Sequence, residues 1–107
     1  MTDLVLVLTT MPDDDRAGDL ARTLVDERLA ACVHVHAAMR STYRWRGQVA
    51  CDPERQVVIK TTRARLPALE ARLQALHPYD LPEFVVLPAD AGSAAYLAWV
   101  SAEVSIG

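Results

Sequence analysis

Five consecutive apolar residues, Leu4-Val5-Leu6-Val7-Leu8, open the patterned part of the chain. A continuous run without alternation predicts a strand covered on both faces, at the centre of a sheet. Thr9 to Asp15 then reads as a turn leading into a helix. Pro12 fits a first turn, and Asp13, Asp14 and Asp15 favour the positive end of the helix dipole. Ala17, Leu20, Ala21, Leu24 and Val25 follow helical spacing and carry that helix to about Leu29. Gly18 weakens it by about 1 kcal/mol relative to alanine, which predicts close packing of the helix on the sheet at that point.

A second strand begins near Ala31-Cys32-Val33 and runs to Trp45, where Arg46-Gly47-Gln48 supplies a turn, and a third runs from Val49 to Thr61. Both arms exceed the usual strand length of about six residues. They predict a long hairpin, bent or interrupted near Ala37-Ala38 and Asp52-Pro53, with a tip that overhangs the body. Leu66, Leu69, Leu73 and Leu76 form a leucine seam on a second helix, its start restricted by Pro67, that ends before His77-Pro78. The loop Pro78-Tyr79-Asp80-Leu81-Pro82 leads into a fourth strand from Glu83 to Pro88. Gly92-Ser93 then caps a short final helix carrying Tyr96, Leu97, Trp99 and Val100.

The order β-α-β-β-α-β plus a terminal helix predicts an α/β (α+β) fold of the ferredoxin-like kind, a four-stranded antiparallel sheet with two helices on one face. The other face is left bare. An apolar bare face and a long hairpin both call for covering, and pairing between copies supplies it while shielding the hairpin edges. Composition points the same way, because 51% apolar residues is rich for a chain of 107 whose surface must meet water. That length accommodates one domain, residues 1–107.

A formal charge of −3 gives no cationic field for phosphates, so nucleic acid and an anionic membrane surface are not expected partners. No apolar run approaches the length of a membrane span, and Met1-Thr2-Asp3 lacks the basic start of a signal peptide, so a cytoplasmic location is expected. Cys32 and Cys51 are too few for a disulfide scaffold and are expected as thiols, available to metals. The chain has no Gly-x-Ser-x-Gly elbow, no phosphate-binding glycine loop and no His-Glu-x-x-His motif. No enzyme and no organic cofactor are expected.

Several segments resemble the CutA divalent-cation-tolerance family. They are Glu27-Arg28-Leu29-Ala30-Ala31-Cys32-Val33, Ser41-Thr42-Tyr43-Arg44-Trp45-Arg46-Gly47, Lys60-Thr61-Thr62, His77-Pro78-Tyr79-Asp80-Leu81-Pro82-Glu83 and Tyr96-Leu97-Ala98-Trp99. Their order and spacing span the chain from the first helix to the last. The resemblance implies a ferredoxin-like homotrimer joined by long hairpins, a bacterial cytoplasmic setting, and a tolerance or response role toward copper and other divalent cations. It implies no reaction. Family members often carry Cys where Thr9 stands, Asn where His34 stands and an acidic residue where Cys51 stands.

Strand alternation places Cys32, His34 and His36 on one face and Val33 and Val35 on the other. Thiolate and imidazole suit copper or zinc, and the alternative is that the three simply line the intersubunit side of the sheet. The resemblance adds His77, at a helix end beside Tyr79, Asp80 and Glu83, either as a cation contact or as a cap on the last carbonyls. Tyr43 and Trp45 share a strand face and, with Tyr79, Glu83 and Trp99, are candidates for an interface or an intersubunit cleft. Lys60 could contact an anion in such a cleft or reach water. Two rivals follow: a small-metabolite sensor similar to trimeric PII-type proteins, and a structural partner module with loosely bound cations.

Overall fold

The computed structural model describes residues 2–106, so Met1 and Gly107 of the expected 1–107 domain lie outside it. Strand β1 (Leu4–Pro12) leads to helix α1 (Arg16–Asp26), β2 (Cys32–Val35), β3 (Met39–Trp45) and the long β4 (Gln48–Thr62). A short 3-10 turn at Arg63–Arg65 enters α2 (Leu66–Leu76), then β5 (Val85–Pro88) and α3 (Ala94–Glu103). All pairings are antiparallel in the order β2-β4-β1-β5, with β3 joined to β4 beyond β2. This is the expected ferredoxin-like arrangement with one extra strand, because the second predicted strand is cut in two around Ala37-Ala38.

Burial alternates along β1. Val5, Val7, Thr9 and Met11 are buried, while Leu4, Leu6, Leu8 and Thr10 are only partly covered. Opposite them, Val57, Ile59 and Thr61 of β4 share the buried face, joined by Val33, Val35 and Val86 from the flanking strands. Ala17, Leu20 and Leu24 of α1 and Leu69 and Leu73 of α2 close this core. The first strand thus has one covered face, where a continuous apolar run had predicted two. It also continues through Thr9 to Pro12, residues expected to turn, because β4 pairs with every one of them as far as Glu54.

Helix α1 starts at Arg16, and Asp14 rather than the boundary residue Asp15 accepts from the Arg16 backbone N–H at 3.0 Å. Its carboxylate also holds the Arg16 guanidinium at 2.8 Å. Gly18 points to solvent with nothing within 4 Å of a Cβ placed there, so the expected close packing is absent. Ser93 caps α3 as expected, its hydroxyl accepting from Tyr96 N–H at 3.2 Å. Helix α3 crosses to the other face of the sheet, where Val100 and Val104 pack on Ala31 and Leu4 in a second small core. The bare face is therefore bare over only part of its length.

Trp45-Arg46-Gly47-Gln48 closes the β3–β4 hairpin with positive φ at Arg46 (50°) and Gly47 (80°), the two-residue turn whose twist matches antiparallel strands. Glycine is required at the second position, since a side chain there is strained. The second predicted interruption, at Asp52-Pro53, does not occur. By Pro53 β1 has ended, so β4 has a partner on one side only, and an edge tolerates a proline.

Thr9 is fully buried and its hydroxyl has no hydrogen-bond partner among the described residues. An unsatisfied buried hydroxyl costs about 1–3 kcal/mol. Thr9→Val removes it at nearly constant volume and is expected to raise unfolding stability by about 1 kcal/mol. Urea denaturation checks this, and a destabilised variant would show that the hydroxyl is satisfied in solution.

Candidate functional site

Four groups of polar and aromatic side chains stand outside the core. The first gathers where α2 ends. His77 is 8% exposed, and its Nε2–H donates to the Thr10 carbonyl at 2.8 Å, while Nδ1 accepts from the Tyr79 N–H at 3.1 Å. The two contacts fix the neutral tautomer with the proton on Nε2. Burial lowers the pKa of His77, against the opposing pull of the Thr10 carbonyl and the Glu54 charge. Tyr79 stacks at a tilt on the His77 ring, centroids 4.8 Å apart, and donates its hydroxyl to Glu54 Oε2 at 2.6 Å. Burial first, then the bond to Glu54, raises the Tyr79 pKa well above its ordinary value, so the phenol stays a donor.

This group is a lock on the Pro78–Pro82 loop. Both nitrogens of His77 are engaged by backbone, by the Thr10 carbonyl of β1 and the Tyr79 N–H rather than by the last carbonyls of α2, and a cation could take one only by breaking such a bond. Glu54 is the residue that sequence reasoning missed. It lies in the charged stretch Asp52-Pro53-Glu54-Arg55, where an interruption was expected, and nothing in the sequence marks one carboxylate there as buried. Glu83 is half-buried in the loop before β5.

The second group is the hairpin arm. Tyr43 donates its hydroxyl to Asp52, and that bond raises the tyrosine pKa. Trp45 is 41% exposed at the tip with the Arg46 guanidinium 5.5 Å above its ring. The third group surrounds Lys60, whose ammonium donates to the Tyr96 hydroxyl at 3.2 Å. Trp99 lies beside Tyr96, ring centroids 5.6 Å apart, and is 43% exposed.

The fourth group is the row Cys32, His34 and His36 on the partly bare face of the sheet. Cys32 is half-buried and both histidines are exposed. His36 extends the ladder by donating its N–H to the Gln56 carbonyl at 2.9 Å, so the alternation runs through all three. The structure does not bring His77 to this row, and among the described residues no three His, Cys, Asp or Glu side chains come together as a metal site.

This fold, with its hairpin arm and its loop lock after α2, meets a family model described as CutA1 divalent ion tolerance protein over residues 5–103. The chain belongs to the CutA1 family. A CutA of Thermus thermophilus, named a divalent-cation tolerance protein, is 45% identical over 95 residues, covering 89% of this chain and 92% of the relative. A chloroplastic CutA of Arabidopsis thaliana is 38% identical over 96 residues, covering 90% of this chain and 53% of the plant protein. The crystal structure of CutA from Xylella fastidiosa superposes with a TM-score of 0.94 at 41% identity, covering 97% of this chain and all of the other. CutA1 members thus share both the sequence and the architecture.

The His77 lock generates a pH dependence. Its folded pKa lies below the unfolded value of about 6.5, so its contribution is complete above that pH and is lost as pH falls through the folded pKa. Protonation puts a hydrogen on Nδ1 against the Tyr79 N–H. The wild type is expected to lose stability between about pH 7.5 and pH 5, while His77→Gln starts about 1–3 kcal/mol lower and loses less on acidification. Equal acid losses in urea titrations of both proteins would assign the effect to other groups.

Proposed function

We propose that the chain is a non-catalytic, homotrimeric CutA1 protein that supports tolerance of divalent cations, copper or zinc foremost, through weak or transient binding. Family membership supplies the cation link, since relatives are named for divalent-cation tolerance. The observation that carries the assembly is the sheet face left open in one chain. Leu6, Leu8 and Val58 are only half covered there, and Val85 and Leu87 of β5 are 45% and 43% exposed. Trp99 adds an exposed aromatic on α3. Adjacent apolar side chains in such a row are worth covering at about 25 cal/mol per Å², and a second copy is the cover always available.

The hairpin arm contributes to the same reading. It makes the molecule 45 Å long against 26 and 24 Å in the other directions, which exposes Tyr43 and Trp45 beyond the body of their own chain. Both cysteines are free thiols, in keeping with a reducing cytoplasm, and no helix among the described residues is long and apolar enough to cross a membrane. Tyr43, Trp45, Lys60 and Trp99 take interface or intersubunit cleft positions in the proposed trimer. A second reading, a small-anion sensor, is favoured by Lys60, whose ammonium has no carboxylate within salt-bridge distance among the described residues.

Sedimentation of the untagged protein is expected to give about three chain masses, and the double substitution Val85→Asp, Leu87→Asp about one. A wild type that sediments as a single chain would overturn the assembly. Cells lacking the protein are expected to grow worse under copper load, with rescue by the wild-type chain. A thermal-shift screen of anionic metabolites separates the second reading, which requires stabilisation lost in Lys60→Ala.

A further inference from the structure

The row Cys32-His34-His36 cannot serve one metal ion. Residues two apart on a strand face are separated by about 6.7 Å, and residues four apart by about 13 Å. Cys and His side chains with their bonds to a metal reach about 10 Å in sum, enough for neighbours in the row and too little for Cys32 and His36 together. A single ion must therefore choose between the Cys32–His34 pair and the His34–His36 pair.

Electrostatics decides between them. Cys32 stands directly opposite Lys60 on β4, on the same face, and the Lys60 ammonium is held nearby by the Tyr96 hydroxyl. A cation entering beside Cys32 meets that charge. His34 stands opposite Val58, and His36 opposite Gln56, both neutral. Arg55 donates to the His36 carbonyl at 3.3 Å and is itself neutralised by Asp13 at 2.8 Å. Cys32 is also half-buried, whereas both imidazoles are exposed. Among the described residues no hydrogen bond engages either ring, in contrast to His77, whose two nitrogens are both occupied.

We propose that His34 and His36 form a bidentate imidazole site for a borderline divalent ion, Cu(II) ahead of Zn(II), with water in the remaining positions. His34 stands within the β2–β4 ladder, and His36, just past the end of β2, is tied to β4 by its backbone N–H bond to the Gln56 carbonyl, so the backbone that carries both imidazoles is already held. The preference for copper follows the general order of divalent affinities for nitrogen donors. Because β2 is an outer strand, the pair sits at the rim of the face proposed to join copies, within reach of solvent. The inference deepens the cation-tolerance reading by naming where the ion is held, and it stands apart from the trimer.

The test uses the untagged full chain in a Cys51→Ser background, which removes the exposed thiol that could reduce Cu(II). Calorimetric titration is expected to give one Cu(II) per chain with a Kd of about 1–10 μM, and weaker Zn(II) binding. Electron paramagnetic resonance should show coupling to imidazole nitrogen. His34→Asn and His36→Gln should each weaken copper at least tenfold (~1.4 kcal/mol) with unchanged circular dichroism, and Cys32→Ser should leave it unchanged. Copper binding that persists in the double histidine variant, that is lost in Cys32→Ser, or that is absent altogether overturns the site. Failure of the cation-tolerance reading is seen separately, as copper resistance unchanged in cells lacking the protein while the nitrogen-coupled spectrum persists.

Discussion

Nine consecutive residue pairs join β1 to β4, from Leu4 opposite Thr62 to Pro12 opposite Glu54, and everything else in the molecule is hung on that ladder. Its register is held by alternation. A slip of one residue would turn Val5, Val7, Thr9 and Met11 away from α1 and α2 and bring Leu4, Leu6 and Leu8 inward, against helices shaped for the other set. Along its other side β4 decides, by its pairing with β2, which side chains share a face with Lys60. The β1–β4 register also sets Thr10 and Glu54 at one end, where they receive His77 and Tyr79. The core and the polar lock are thus two ends of one pairing.

Much of this was legible in the sequence because short-range rules decide it. The leucine spacing of α2, the Ser93 cap and the turn at Arg46-Gly47 are local, and they stand where the pattern places them. The misreadings have the opposite character. Leu4 to Leu8 looks continuous because its outer residues are apolar as well, and only the paired strand shows that they face outward. Thr9 to Pro12 reads as a turn because it ends in Pro12 and three aspartates follow at once, and it is kept extended by its pairing with β4. Gly18 implied a close approach that no neighbour makes.

The candidate site was less legible than the fold, since its geometry depends on segments far apart in sequence. Tyr79 and Glu54 meet across 25 positions, His77 and Thr10 across 67. Once the Thr10 carbonyl is placed beside the end of α2, His77 turns from a candidate ligand into a group with both nitrogens engaged. The row on β2 behaves differently: its alternation is local and readable, while the choice among its members required the residues opposite them on β4.

One further consequence concerns mechanics. Strand β4 runs unbroken for 15 residues from the core to the hairpin tip, whereas its partner on that side is broken between Val35 and Met39. The arm has no hinge on one side and a gap on the other. It therefore behaves as a cantilever, stiff to pulling along its length and compliant to bending toward the gap. The exposed tip at Trp45 is thereby joined to Val57 and Ile59, inside the core, by one unbroken strand.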